Sequence, residues 1–234
     1  LSSGTIANSL SIDISGNSTI SVTTLDAPNK TVTQTTVFPD STTNAVTTTI
    51  NGLTTNRATK TNLTYTYQYD ALGRQTGVAD PRTGTSTTHY AANGQVDYIQ
   101  DAAGNQTKFG YSLTTGRRIW TENALNQKQH VAYDLQGRVT KSWGTEYPVE
   151  HVYDAYGRRT QLKTYQDGTN WYGDQWPADP GTAEVTTWNY DDATGVLTSK
   201  VHADGKGPSY TYTATGKLAT RTWARTDSGS PLIT

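Results

Sequence analysis

Short alternating runs, interrupted by clusters of Asp, Asn and Gly, set the pattern of this chain. In Thr64-Tyr65-Thr66-Tyr67-Gln68-Tyr69 every second residue is a tyrosine and the residues between are polar. A two-residue period in residue types that favour strands predicts a half-buried strand with three tyrosines on one face. Arg138-Val139-Thr140-Lys141-Ser142-Trp143 reads the same way. Between such runs lie turn signals. In Tyr69-Asp70-Ala71-Leu72-Gly73-Arg74 the Asp carboxylate is placed to accept from backbone N–H groups ahead of it, and Gly takes the positive φ that closes the turn. No stretch carries a helical apolar period with a cap at each end.

The turn phrase recurs as Tyr133-Asp134-Leu135-Gln136-Gly137-Arg138 and as Tyr153-Asp154-Ala155-Tyr156-Gly157-Arg158. Looser copies begin at Tyr90, Tyr111, Tyr190 and Tyr212, so the anchor tyrosines step by 21, 21, 22, 20, 37 and 22 residues. A period of about 21 residues is the signature of a tandem repeat. A second turn signal falls half a period later, as in Asp101-Ala102-Ala103-Gly104-Asn105, Glu122-Asn123-Ala124-Leu125-Asn126 and Asp204-Gly205-Lys206-Gly207-Pro208. Each anchor is therefore the tip of a β-hairpin, and the expected fold is all-β: tandem antiparallel hairpins in one curved sheet.

Composition changes the picture in one respect. Leu, Ile, Val and Phe together number 36 of 234 residues, a level that warns of disorder when net charge is high. Here the net charge is −1, and 15 Tyr and 6 Trp supply large apolar surfaces in place of the aliphatics. The chain folds, with aromatics distributed along the strands. A pI near 6.5 gives no basic footprint for nucleic acid. No apolar run is long enough to span a bilayer. The absence of Cys excludes disulfides and thiolate sites, and the absence of Met predicts a processed product or an excised piece.

Residues 1–63 differ in texture, being rich in Thr, Ser and Asn. Asp13-Ile14-Ser15-Gly16-Asn17, Asp26-Ala27-Pro28-Asn29 and Asp40-Ser41-Thr42-Thr43-Asn44 punctuate alternating runs such as Thr31-Val32-Thr33-Gln34-Thr35-Thr36-Val37, which predicts degenerate hairpins; a flexible Ser/Thr stalk is the competing reading. Residues 64–234 form the regular repeat region. Its one long step carries an insertion at about residues 166–184 that includes Trp171, Tyr172 and Trp176. Two readings stay open for that loop: aromatics that stack on a sugar or grip a partner, and aromatics folded back over the sheet.

The anchors Tyr69, Asp70, Gly73, Arg74, Tyr133, Asp134, Gly137, Arg138, Tyr153, Asp154, Gly157 and Arg158 resemble the RHS, or YD-repeat, family. The segment Asp101-Ala102-Ala103-Gly104-Asn105-Gln106-Thr107-Lys108-Phe109-Gly110-Tyr111 is similar to that family's link between anchors. The resemblance implies hairpins laid side by side in a spiralling strip that closes, in bacterial toxins, toxin-complex shell proteins and teneurins, into a hollow shell. It further implies a bacterial secreted or surface protein, and a toxin domain as the enclosed cargo. Self-cleaving members carry a D-P-x-G marker near the end of their repeats. Asp80-Pro81-Arg82-Thr83-Gly84 and Asp179-Pro180-Gly181 are only superficially similar, since further repeats follow both.

Chemistry is otherwise sparse. There is no G-x-S-x-G elbow, His89, His130, His151 and His202 have no partner signature, and no metal-ligand spacing occurs. The expectation is a non-catalytic structural segment without cofactor or metal, partnered by the rest of a longer chain or by a second copy through its sheet edges. The alternative is a binding module for surface carbohydrate or protein.

Overall fold

The computed structural model describes residues 3–12, 16–49, 51–227 and 230–233, with side chains described as far as Arg225. The turn signal at Asp13-Ile14-Ser15 lies outside the described residues. Among the described residues there is no helix. The chain forms two compact units, residues 1–108 and 109–234.

The first unit runs through β1 (Gly4–Ile12), β2 (Ser18–Asp26), β3 (Thr31–Val37), β4 (Thr43–Thr49), β5 (Thr54–Ala58), β6 (Thr64–Tyr69), β7 (Gln75–Asp80), β8 (Gly84–Tyr90) and β9 (Val96–Gln100), with β10 (Gln106–Tyr111) at its end. Each strand pairs antiparallel with its neighbour in the chain. The result is an open meander, with no pairing between its first and last strands among the described residues. In the Thr-rich stretch, hydroxyl pairs take the place of apolar contacts. Thr33 stands opposite Thr47, and their hydroxyls lie 2.8 Å apart, the kind of cross-strand pair that stabilises a sheet face.

The second unit contains β11 (Arg118–Glu122), β12 (Lys128–Tyr133), β13 (Val139–Gly144), β14 (Val149–Tyr153), β15 (Arg159–Asp167), β16 (Gly181–Tyr190), β17 (Leu197–Val201), β18 (Ser209–Tyr212), β19 (Leu218–Asp227) and β20 (Ser230–Ile233). It too is an open antiparallel meander. Residues at the flanks of the predicted insertion join the ladder, Gln166 opposite Thr182 and Asp167 opposite Gly181. The loop proper is therefore residues 168–180.

Local chemistry explains the hairpin tips. Asp70 N–H donates to the Arg74 carbonyl (2.9 Å), and Gly73 N–H to the Asp70 carbonyl (3.0 Å). Asp70 Oδ1 accepts from the N–H groups of Leu72 and Arg74, at 2.9 and 3.0 Å. Gly73 sits at φ 78°, a conformation that costs other residues steric strain. Just before six of the seven anchor tips, a β-bulge gives the second strand one residue more than the first. It falls at Tyr69, Tyr90, Tyr133, Tyr153, Tyr190 and Tyr212. The extra residues Thr140 and Thr160 donate their hydroxyls to the carbonyls of Ala132 and Val152, each at 3.3 Å. Bulges re-aim neighbouring side chains, and here the residue facing the bulge across the ladder is the anchor tyrosine.

A single-layer sheet buries little. Among the described residues Leu25 and Trp143 are buried, at 9% and 7% exposure, together with the fully buried Pro148 and the polar His130. The anchor tyrosines are half-buried, whereas Leu72, Leu113 and Leu135 at the turns stand in solvent. Leu25→Ala is expected to destabilise the protein by about 2 kcal/mol, the low end for core truncation because the site borders solvent. Leu113→Ala is expected to change stability by less than about 0.5 kcal/mol. Urea unfolding of the two variants checks the contrast.

Candidate functional site

What repeats in this structure is a lock between successive hairpins. In six of the seven anchors the tyrosine hydroxyl reaches out of its own hairpin to a backbone carbonyl of the preceding one. Tyr69 donates to Thr54 (2.7 Å) and Tyr90 to Gln75 (3.0 Å) in the first unit. In the second, Tyr133 donates to Arg118 (2.8 Å), Tyr153 to Val139 (3.0 Å), Tyr190 to Arg159 (3.1 Å) and Tyr212 to Leu197 (2.9 Å). The clamp matters most where the ladder is short. β13 and β14 share two paired positions, and β17 and β18 share one.

Arginine makes the reciprocal contact. Arg74, Arg138 and Arg158 each place Nε 2.6 Å from Oδ2 of the Asp four residues earlier. That ion pair fixes the guanidinium so that its plane meets the next anchor ring. Arg74 lies 4.3 Å from the centroid of Tyr90, Arg138 4.5 Å from Tyr153 and Arg158 4.5 Å from Tyr190. Cation–π contacts of this kind contribute roughly 0.5–1 kcal/mol at exposed sites. The anchor glycine opens the path for them. A Cβ on Gly137 would stand 2.7 Å from Arg117 Nη2, and Arg117 Nη1 bonds the Asp134 carbonyl at 3.3 Å. Tyr-Asp-x-x-Gly-Arg thus closes its own turn and grips both neighbours.

The insertion loop is strapped to the sheet of the second unit. Trp176 packs edge-on against Trp143 and Tyr165, each at 5.7 Å between centroids, and Lys141 Nζ lies 4.5 Å above its ring. Trp143 Nε1 donates to the Gly173 carbonyl (3.0 Å) and stacks on His130. Asp174 Oδ1 lies 3.4 Å from both Lys128 Nζ and His130 Nε2, the latter without hydrogen-bond geometry. Trp171 is half-buried with Nε1 enclosed and unpaired, whereas Tyr172 is 77% exposed. Of the three aromatics singled out in the sequence, the fold brings Trp176 onto the sheet and leaves Tyr172 in the open.

Charges follow these contacts. Burial acts against the ionised form of Asp70, Asp134 and Asp154. The N–H groups of the turn and the Arg guanidinium outweigh it and hold all three below the ordinary carboxylate range. Burial pushes Tyr165 up to about 12, helped by its hydrogen bond to Glu150 (2.8 Å). Glu150 is lowered despite its burial, by that hydroxyl and by Lys163. Burial lowers His130, Asp174 opposing and Lys128 adding to the effect; burial also lowers His151, with Arg159 beside it. Among the described residues no group of three or more His, Asp or Glu is placed to hold a metal ion, and no helix is long and apolar enough to cross a membrane. Asp80 and Asp179 both serve as turn formers, accepting from the N–H of Arg82 (2.8 Å) and Gly181 (3.2 Å).

No family model matches the chain, and no curated protein matches it. Solved structures do. Crystal structures of TcdB2-TccC3-Cdc42, of TcdB2-TccC3 without its hypervariable C-terminal region and of TcdB2-TccC3-TEV match with TM-scores of 0.51, 0.52 and 0.51. Each is 14% identical; the match covers 95–97% of this chain and 14% of the other. Those chains carry RHS repeats. The fold is the RHS-repeat fold. At that identity the likeness is one of fold, and the chain spans about one-seventh of the length of the structures it matches.

In the RHS-repeat fold as it stands here, Tyr153→Phe removes one clamp while keeping the ring. The expected loss is about 1 kcal/mol, against none for the exposed Tyr172→Phe, in urea unfolding. The pH profile should show two acid steps. The folded values of His130 and His151 lie below the unfolded one near 6.5, so their contribution is present above about pH 6.5 and is lost as pH falls through the folded values. The anchor aspartates contribute above about pH 4 and lose that contribution as pH falls through their lowered values. Asp134→Asn should shrink the second step and leave the first, as read by urea midpoints across pH.

Proposed function

We propose that the chain is a non-catalytic structural segment of an RHS-type shell on a secreted or surface-exposed bacterial protein, where it encloses or displays another polypeptide. The observation that carries this reading is the Tyr–Arg lock. Its functional groups face adjoining hairpins, so the recurring chemistry of the chain is spent on lateral continuity. A strip whose members grip both neighbours extends by adding hairpins, as a wall must, with stability accruing through nearest-neighbour contacts. The fold shared with TcdB2-TccC3 chains supports the same reading.

The test uses the natural gene product that carries this segment. Limited proteolysis should leave one polypeptide region protected, and Arg138→Ala with Arg158→Ala should expose it to cleavage. Digestion of every region at the rate of an unfolded control would overturn the reading. A second reading, a binding module for surface carbohydrate or protein, is favoured by Tyr172 standing open at the loop. It predicts glycan-array or pull-down binding that Tyr172→Ala abolishes while the melting temperature holds. Array and pull-down signals unchanged by that substitution would end it.

A further inference from the structure

Two strands of the second unit outrun the strands between them. β17 ends at Val201, opposite Thr187 of β16, and β18 begins at Ser209, opposite Thr222 of β19. Residues 181–186 of β16 and 223–227 of β19 thus extend past them, with no ladder partner on that side among the described residues. β20 lies on the other edge of β19, because Thr222 stands opposite both Ser209 and Ile233. The turn at residues 202–208 floors the gap. What remains is a notch of about 820 Å³. Four adjacent strands set the outer two about 14 Å apart, so the notch is wide enough for an added extended segment.

The walls of the notch carry a distinct chemistry. Lys200, Lys206, Arg221 and Arg225 line it against two carboxylates, Glu184 and Asp204. Arg221, Trp223 and Arg225 alternate along β19, with the Arg221 guanidinium 3.4 Å from the centroid of Trp223. Arg221 Nε is enclosed and has no hydrogen-bond partner. An exposed strand edge offers backbone N–H and C=O groups in register with an incoming strand, and cross-strand pairs of opposite charge favour it.

We infer that this notch binds an extended acidic polypeptide segment, added as a strand along residues 223–227 of β19. The backbone of the segment supplies the hydrogen bonds. Its alternate carboxylates lie on the face that Trp223 and Arg225 share and meet Arg225 and Lys206. The site goes beyond the wall role and stands whether or not the chain encloses anything.

The test uses the whole chain and a fluorescein-labelled peptide alternating Glu and Val, about ten residues long, followed by fluorescence anisotropy. Saturable binding is expected, weakening as salt rises. Arg225→Glu with Lys206→Glu should weaken it by about tenfold or more, and so should N-methylation of alternate peptide bonds in the probe. The methylated probe needs no protein variant, so the test survives misfolding of the double variant. Failure of the acidic probe to bind, equal binding of its methylated form or equal binding of a Lys–Val peptide would overturn the inference. So would a dimer in sedimentation that Arg225→Glu dissolves, which would assign the notch to a second copy.

Discussion

One hydrogen bond, repeated, ties hairpin to hairpin in this structure: a tyrosine hydroxyl donating to a carbonyl of the preceding hairpin. A sheet one layer thick has no second layer to hold it. Among the described residues few apolar side chains are buried, Leu25, Trp143 and Pro148 among them, so cohesion between hairpins has to come from edge contacts. Backbone ladders supply these inside each hairpin, but the seams between hairpins are uneven, from seven paired positions at β15 and β16 to one at β17 and β18. Tyrosine clamps cross the thin seams of β13 with β14 and β17 with β18 as well as the long one of β15 with β16, and an arginine stack accompanies the first and the last of these. The anchor ring, opposite the bulge, serves both, since its hydroxyl reaches back and its face receives the arginine of the hairpin before.

The same geometry explains why the motif has the residues it has. Asp orders its turn and then orients Arg; Gly closes the turn and leaves the space that a neighbouring guanidinium fills at Gly137. Each residue has one local duty and one duty to a neighbour. Where the long step interrupts the rhythm, a different device appears. The strap of Trp176, Asp174 and the Gly173 carbonyl holds the loop to Trp143, Lys128 and Tyr165. It produces the most enclosed part of the second unit, and burial there is what lowers His130.

Much of the fold is legible in the sequence because its signals are local. Alternation in residues 64–69 marks a strand, and Asp70 with Gly73 marks the tip within five residues. The Thr-rich runs near the start are readable for the same reason, although the Thr33–Thr47 hydroxyl pair that holds them depends on register. The duties that cross between hairpins are not readable. Nothing near Tyr153 indicates the Val139 carbonyl, and nothing near Arg138 indicates the ring of Tyr153. In the insertion, composition marks Trp171, Tyr172 and Trp176 alike. Only the distant Trp143 and Tyr165 separate Trp176 from Tyr172. The notch beside β19 depends on differences in strand length, a property that no single segment contains.

Hydrogen exchange on a variant lacking one complete lock addresses the central claim most directly. With Arg138→Ala and Tyr153→Phe combined, amides at the seam of β13 and β14, around Ser142 and Val149, should lose protection. Amides between β14 and β15, around His151 and Leu162, should keep theirs, because that pairing lies within one hairpin. A uniform fall across the second unit, or no change at the seam, would contradict the account.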